Sequence, residues 1–285
     1  MLGVLGISGW KIGIVVMSKK DRIKKYGNRY ERRDVAEYPK SSAKVLAKLA
    51  RDKDWRIREA VAGNPNAPAE VLNKLAADEN EYVRKEVARN RSTPAEVLEK
   101  MAADEDSSAP WFAVRNPSFP VEILERLATD EDWEIRSAVA GNTSAPGEVL
   151  AKLATDENPY VREAMAGNRS TPGEALVTLA TDENQYVRKE VARNRSTPAE
   201  VLDRLARDKD WCVRGYVARN TNAPAGALNK LAEDENWEVL LEVARNPKIP
   251  PEAINNLCFS EERSIRQALS ENPAVPEHIR VGLIL

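Results

Sequence analysis

Eight aspartates stand at one fixed interval in this chain, at Asp52, Asp78, Asp104, Asp130, Asp156, Asp182, Asp208 and Asp234. Six residues after six of them comes an arginine, in the series Arg58, Arg84, Arg136, Arg162, Arg188 and Arg214, and Arg266 continues that column. Paired carboxylates and guanidinium groups are the raw material of acid–base and phosphate chemistry. A pair copied along the whole chain marks no single place for a reaction, however. On a helical wheel the arginine falls inside the apolar arc bounded by Val83 and Ala88, so it points between copies, where an aspartate satisfies its fork of donors. The pairs are read as structural. Other reactive types are scarce: one histidine, His278, and two isolated cysteines, Cys212 and Cys258, with no CxxC pair. That set excludes a disulfide framework, a zinc site or an iron–sulfur site built on clustered thiols, and it suits a reducing cytoplasm. No nucleophile–base constellation is present either, so the chain is read as a non-enzyme without a cofactor.

The interval itself is the second observation. In rows of 26 the asparagines Asn64, Asn90, Asn116, Asn142, Asn168, Asn194, Asn220, Asn246 and Asn272 align, and so do nine prolines from Pro68 to Pro276, without an insertion. The stretch VARNRSTPAEVL occurs at 87–98 and again at 191–202, four periods apart. A period of this length signals a solenoid whose units cannot bury an apolar face alone. Each unit holds two short helices. In Pro68 to Asn90, Pro68 suits the first helical position, Val71, Leu72 and Leu75 form one apolar stripe, Asp78 and Asn80 break and recap the chain, and Val83, Val87 and Ala88 form the second stripe. Thr93 with Glu96 and Thr197 with Glu200 have capping-box spacing, and the asparagine that ends each second helix is a residue type that tolerates left-handed backbone. A leucine column from Leu49 to Leu283, with Met101 in third place, is the expected core. At about 1.5–3 kcal/mol per buried aliphatic side chain it outweighs any surface term.

If the repeated columns are scaffold, function lies in those that vary. On the outward face of the second helices these are Tyr82, Lys85 and Arg89, then Trp111, Phe112 and Arg115, then Tyr186, Lys189 and Arg193, then Tyr216 and Arg219. Aromatics mixed with arginine make binding surfaces, and these eleven residues are the candidate partner-binding set. The third repeat departs most: DEDSSAPWFAVRN replaces the arginine with Pro110, which should shorten or kink its second helix. Leu240 and Leu241 could extend the same surface. Trp55, Trp133, Trp211 and Trp237 share the start of the second helix and are read as half-buried packing.

The stretch LAADENEYVRKEVARN resembles a HEAT repeat, and VRKEVARNRSTPAEVLEKMAAD is more similar still to the leucine-rich repeat variant family, over about residues 28–285. The resemblance implies an all-α, right-handed solenoid (superhelix) of about ten 26-residue two-helix repeats, HEAT-like in build. Members of that family can carry an iron–sulfur cluster ahead of the repeats; no cysteine precedes Cys212, so that cofactor is not carried over.

The ends are read separately. Residues 1–16 are apolar and form a non-native or disordered extension ahead of Met17, residues 17–37 a basic cap, and residues 38–285 the repeat solenoid. Lys11 interrupts the apolar stretch, which is too short for stable membrane insertion. HIRVGLIL at the other end either packs as a lone first helix or mediates self-association, and oligomeric state is left open. A net charge of −2 gives no global pull toward polyanions. The leading expectation is a scaffold that binds a protein or peptide through the second helices. The alternative is nucleic-acid binding through a basic face interleaved with aromatics.

Overall fold

The computed structural model describes residues 28–104 and 109–283, so the expectations for residues 1–16 and for most of the basic cap lie outside the described residues. Among them are twenty helices and no strand. The chain forms two compact units that meet in sequence at Pro120 and Val121. Both are built from the same repeat, a first helix of six to eight residues and a second helix that in most copies has eight or nine. In the first unit the second helices Arg29–Glu37, Trp55–Ala62, Glu81–Arg89 and Ala109–Val114 pack one on the next. In the second unit Trp133–Ala140, Pro159–Gly167, Gln185–Arg193, Trp211–Arg219, Trp237–Arg245 and Arg263–Glu271 do the same. Helices this short are marginal alone, so their stability comes from the apolar stripes pressed between neighbours. Val71, Leu72 and Leu75 are buried from the first helix and Val83, Val87 and Ala88 from the second. The leucine column is buried through most of its length. Leu49, Leu127 and Leu283 are only half-buried.

Two polar ladders fix the spacing. Asparagine Nδ2 donates to two carbonyls of the preceding repeat: Asn194 reaches Ala166 O at 2.7 Å and Asn168 O at 2.8 Å. Its Oδ1 accepts the Ser196 amide at 2.8 Å. Asn64, Asn90, Asn116, Asn168, Asn220, Asn246 and Asn272 repeat both donations, at 2.6–2.8 Å to the first carbonyl and 2.8–3.2 Å to the second. The side chain thus ties down its own turn, as expected, and also clamps the repeat before it. These asparagines sit in extended backbone, with Asn90 at φ −70° and ψ 122°, and no described non-glycine residue has a positive φ. The left-handed ending expected of them is replaced by the clamp, which needs the side chain aimed back along the stack.

The second ladder is the arginine–aspartate column. Arg58 donates Nε and Nη2 to Asp78 at 2.7 and 2.8 Å, while its Nη1 reaches Asp52 O at 2.8 Å. Arg136, Arg162, Arg188 and Arg214 hold Asp156, Asp182, Asp208 and Asp234 with the same fork. Each hydrogen bond to aspartate, with the attached Coulomb attraction, raises the arginine above its ordinary pKa against the opposing effect of burial. Burial alone would push Asp78, Asp156 and Asp208 up. The arginine hydrogen bond, a backbone amide and the arginine charge together hold all three below the usual carboxylate range.

Two local expectations need correction. Pro68, like Pro94 and Pro198, is an N-cap rather than the first helical residue. Thr93 and Thr197 form no capping box; their buried hydroxyls donate to Val87 O and Val191 O at 2.6 Å, closing the end of the preceding helix instead. Trp133, Trp211 and Trp237 lie toward the open end of the half-buried range expected of them, at exposures of 38%, 40% and 48%, with Trp55 more covered.

Candidate interaction face of the second helices

The face is positioned by caps. Asp54, Asn80, Asp132, Asn158, Asn184, Asp210 and Asn236 each accept the amide two residues on, which fixes where the second helix begins. With Val83 and Val87 turned inward, Tyr82, Lys85, Glu86 and Arg89 are left on the outer arc.

In the first unit this arc is a chain of ring and cation contacts. Trp55 stacks on Tyr82 of the next repeat, with centroids 5.4 Å apart, while Arg56 lies 4.4 Å over Trp55 and Lys85 5.4 Å over Tyr82. Trp111 and Phe112 meet edge to face at 4.9 Å. Arg89 lies 4.3 Å over Phe112, and Arg115 lies 4.9 Å over Trp111. The shortened second helix expected from Pro110 is present as the six-residue helix Ala109–Val114. Proline falls in the first turn of what remains, where its missing N–H costs nothing. Trp111, Phe112 and Arg115 are half-buried, whereas Tyr82 and Arg89 are exposed.

The carboxylates of the first-unit face are also placed. Arg89 pairs with Glu86 at 2.9 Å and Lys85 with Glu81 at 3.4 Å. Burial, followed by repulsion from Glu86, raises the Glu59 carboxyl.

In the second unit Lys189 lies 5.1 Å over Tyr186 and 5.8 Å over Tyr216, and Arg219 lies 5.9 Å over Tyr216. Arg193 pairs with Glu190 at 3.2 Å, while Arg219 and Arg245 share Glu242 at 3.4 and 3.1 Å. Leu241 is buried, so it adds core rather than surface. Glu163 is raised by burial, an effect that Lys189 opposes and Glu190 reinforces.

The eleven candidate residues therefore fall into two sets, six in the first unit and five in the second. Sequence reasoning missed the stacking of Trp55 on Tyr82 and its counterpart, Trp133 with Tyr160 at 5.3 Å. The signal was present as an aromatic pair spaced one residue beyond the 26-residue period. The glutamates Glu86, Glu163 and Glu190 are visible on this face in the sequence, but not which arginine each one holds. Among the described residues no group of three or more histidine, cysteine or acidic side chains is arranged to hold a metal, and no helix is long and apolar enough to cross a membrane.

Residues 55–80, 83–106 and 187–210 match the sequence pattern of the leucine rich repeat variant. Three of its repeats are similar to the leucine rich repeat variant. Those matches contain the cap residue Asn80 and the aspartates Asp78 and Asp208 of the arginine–aspartate ladder. Among solved structures, similarity is found to a leucine-rich repeat variant protein with a repetitive structural motif, at 24% identity over 85% of this chain and 97% of that one, TM-score 0.45. An engineered protein matches at 23% identity over 93% of this chain and 98% of its own, TM-score 0.38. A chain in a Pds5–Scc1 complex matches at 14% identity over 90% of this chain and 54% of its own, TM-score 0.36. No curated protein matches the chain.

Proposed function

We propose that the chain is a non-enzymatic scaffold that binds a protein or peptide through the variable face of its second helices, with the Trp111–Phe112 patch as the anchor in the first unit. The observation that carries this reading is the half-buried aromatic pair flanked by two guanidinium groups, at 4.3 and 4.9 Å from the rings. Large rigid aromatics beside arginine are what hot spots are made of, because they offer apolar area at small entropic cost and a charged edge for orientation. The repeated columns are spent on holding repeats together, which leaves this departure from the repeat as the part with information in it.

The nucleic-acid alternative draws less support from the same face. A phosphate track needs a succession of free cations, and Arg89, Arg193, Arg219 and Arg245 are each matched by a glutamate. Free thiols at Cys212 and Cys258 suit a reducing compartment, which we take to be the cytoplasm.

The test is selection of binders from a displayed random-peptide library, with titration of the best against the native chain and against the Trp111→Ala/Phe112→Ala variant. A loss of about 30-fold or more, the affinity equivalent of a hot spot of about 2 kcal/mol, is expected while the rest of the fold keeps its helical signal. Peptides that bind the variant as well as the native chain refute the anchor. Salt-sensitive binding of a single-stranded DNA with no peptide selected refutes the protein-scaffold reading.

A further inference from the structure

Five arginines share one column at the end of the second helices: Arg89, Arg115, Arg193, Arg219 and Arg245. Four of them reach a glutamate on the face, at 2.9 to 3.4 Å. Arg115 reaches none. Three residues before it stands Phe112, where the helices of Arg89, Arg193 and Arg245 carry Glu86, Glu190 and Glu242, and one period after Phe112 the sequence has Ala138. Among the described residues Arg115 forms no ion pair and no side-chain hydrogen bond; its contact is the Trp111 ring 4.9 Å from the guanidinium carbon. Yet it is half-buried, unlike Arg89, Arg193, Arg219 and Arg245, which are exposed. Burial lowers its pKa, and no acid offsets that effect. A desolvated cation without a counter-charge is a standing cost to the free protein, one that an incoming anion would remove.

Resting on the scaffold reading above, we infer that Arg115, backed by Trp111 and Phe112, is the seat for one carboxylate of a peptide ligand, an aspartate or glutamate side chain beside an apolar residue. The planar fork of donors takes a carboxylate in bidentate fashion while its π-face stays on the indole. Next to it the edge-to-face ring pair offers apolar surface for the neighbouring side chain of the ligand. Charge complementarity limits the anion to a single site. On the same face Arg89 is already matched by Glu86, and the raised carboxyl of Glu59 stands with it, so a chain of phosphates would meet one free cation and then acids.

The experiment compares peptides selected on the full chain, titrated as acid and as amide (Asp→Asn or Glu→Gln in the peptide), against native protein, Arg115→Gln and Arg115→Lys. Selected peptides are expected to carry an acid within two residues of an aliphatic or aromatic residue. The change from acid to amide should cost at least about tenfold on the native chain, less than about threefold on Arg115→Gln, and an intermediate factor on Arg115→Lys, which keeps the charge without the fork. Arg115→Lys therefore separates loss of the anion seat from damage to the fold. Peptides whose affinity falls with Trp111→Ala but which show no preference for acid over amide overturn the carboxylate seat and leave the scaffold reading intact. An acid preference unchanged in Arg115→Gln overturns it in the same way. A 20-nucleotide single strand that binds native protein and loses as much affinity in Arg115→Gln as the peptide does reassigns the seat to phosphate and overturns it too. Failure of any peptide to depend on Trp111 or Phe112 sinks the scaffold reading itself.

Discussion

Changing Asn194 to alanine should cost the solenoid about 3 kcal/mol, and changing it to aspartate should make that cost depend on pH. The side chain is 5% exposed and makes three hydrogen bonds: Nδ2 to Ala166 O at 2.7 Å and to Asn168 O at 2.8 Å, and Oδ1 from the Ser196 amide at 2.8 Å. Alanine removes all three, but their consequences differ. Asn168 O keeps the Thr171 amide at 3.2 Å, and the Ser196 amide is only partly buried, so each loses the net value of one bond, about 0.5–1.5 kcal/mol. Ala166 is fully buried, and its carbonyl, at the end of a helix, is left without the clamp, at about 1–3 kcal/mol. Aspartate has the same shape and still accepts the Ser196 amide, but it turns an oxygen toward two carbonyl oxygens. Its folded pKa must therefore rise above the unfolded value, and a raised carboxyl contributes stability that returns as pH falls through the folded pKa. The assay is urea unfolding of native, Asn194→Ala and Asn194→Asp chains at pH 7 and pH 5, followed by helical circular dichroism, with the slope compared as well as the midpoint because repeat arrays need not unfold in one step. Asparagine-to-alanine losses below about 1 kcal/mol, or an aspartate variant equally weakened at both pH values, would refute the clamp.

The remaining predictions follow from the other ladder and from the face. Arg188→Met should destabilise the second unit by about 3–5 kcal/mol, since Asp208 is left charged with its side chain 8% exposed, and the double change with Asp208→Asn should cost less than the two single changes added together, as a denaturant double-mutant cycle would read. Because Asp78, Asp156 and Asp208 lie below the usual carboxylate range when folded, their contribution is full above the unfolded value of about 4 and is lost as pH falls below it, which acid titration of the native chain against Asp208→Asn should show as a shallower acid limb in the variant. Glu59 carries the opposite sign: raised by burial and Glu86, it costs stability at neutral pH and gives it back on acidification, so Glu59→Gln should raise the melting temperature at pH 7 and lose that advantage near pH 4.

The period of 26 made the two-helix repeat readable because each unit uses the same few contacts, so nine copies of one asparagine mark one recurring position. The Arg–Asp column was readable for a related reason: an arginine inside an apolar arc has few places to put five donors. What could not be read were choices between equivalent partners. A Thr-x-x-Glu spacing fits a capping box, but Thr93 also lies within reach of Val87 O, and only the packing that buries its hydroxyl decides between the two. Asparagine likewise suits a left-handed turn by propensity, and the clamp across repeats, invisible in a single copy, overrides it. On the face, residue types were legible but pairings were not. Glu242 serves arginines from two repeats, a sharing set by the pitch that puts side chains of consecutive helices side by side, whereas Phe112 takes from Arg115 the acid of its own helix.

The third repeat shows why structural loss and binding surface fall together. Pro110 removes the ladder arginine, and the helix that follows keeps six residues where Glu81–Arg89 has nine. Arg84, in the repeat before, still donates Nη1 to Asp78 O at 2.7 Å, but its Nε is buried without a partner. These are real costs, about 1–3 kcal/mol for the buried donor alone. The same substitutions place two rings where Lys85 and Glu86 stand one repeat earlier, and leave Arg115 without an acid. Stability is given up at the one repeat where the face stops neutralising itself, which is the pattern expected when a site is kept for what it binds rather than for what it holds together.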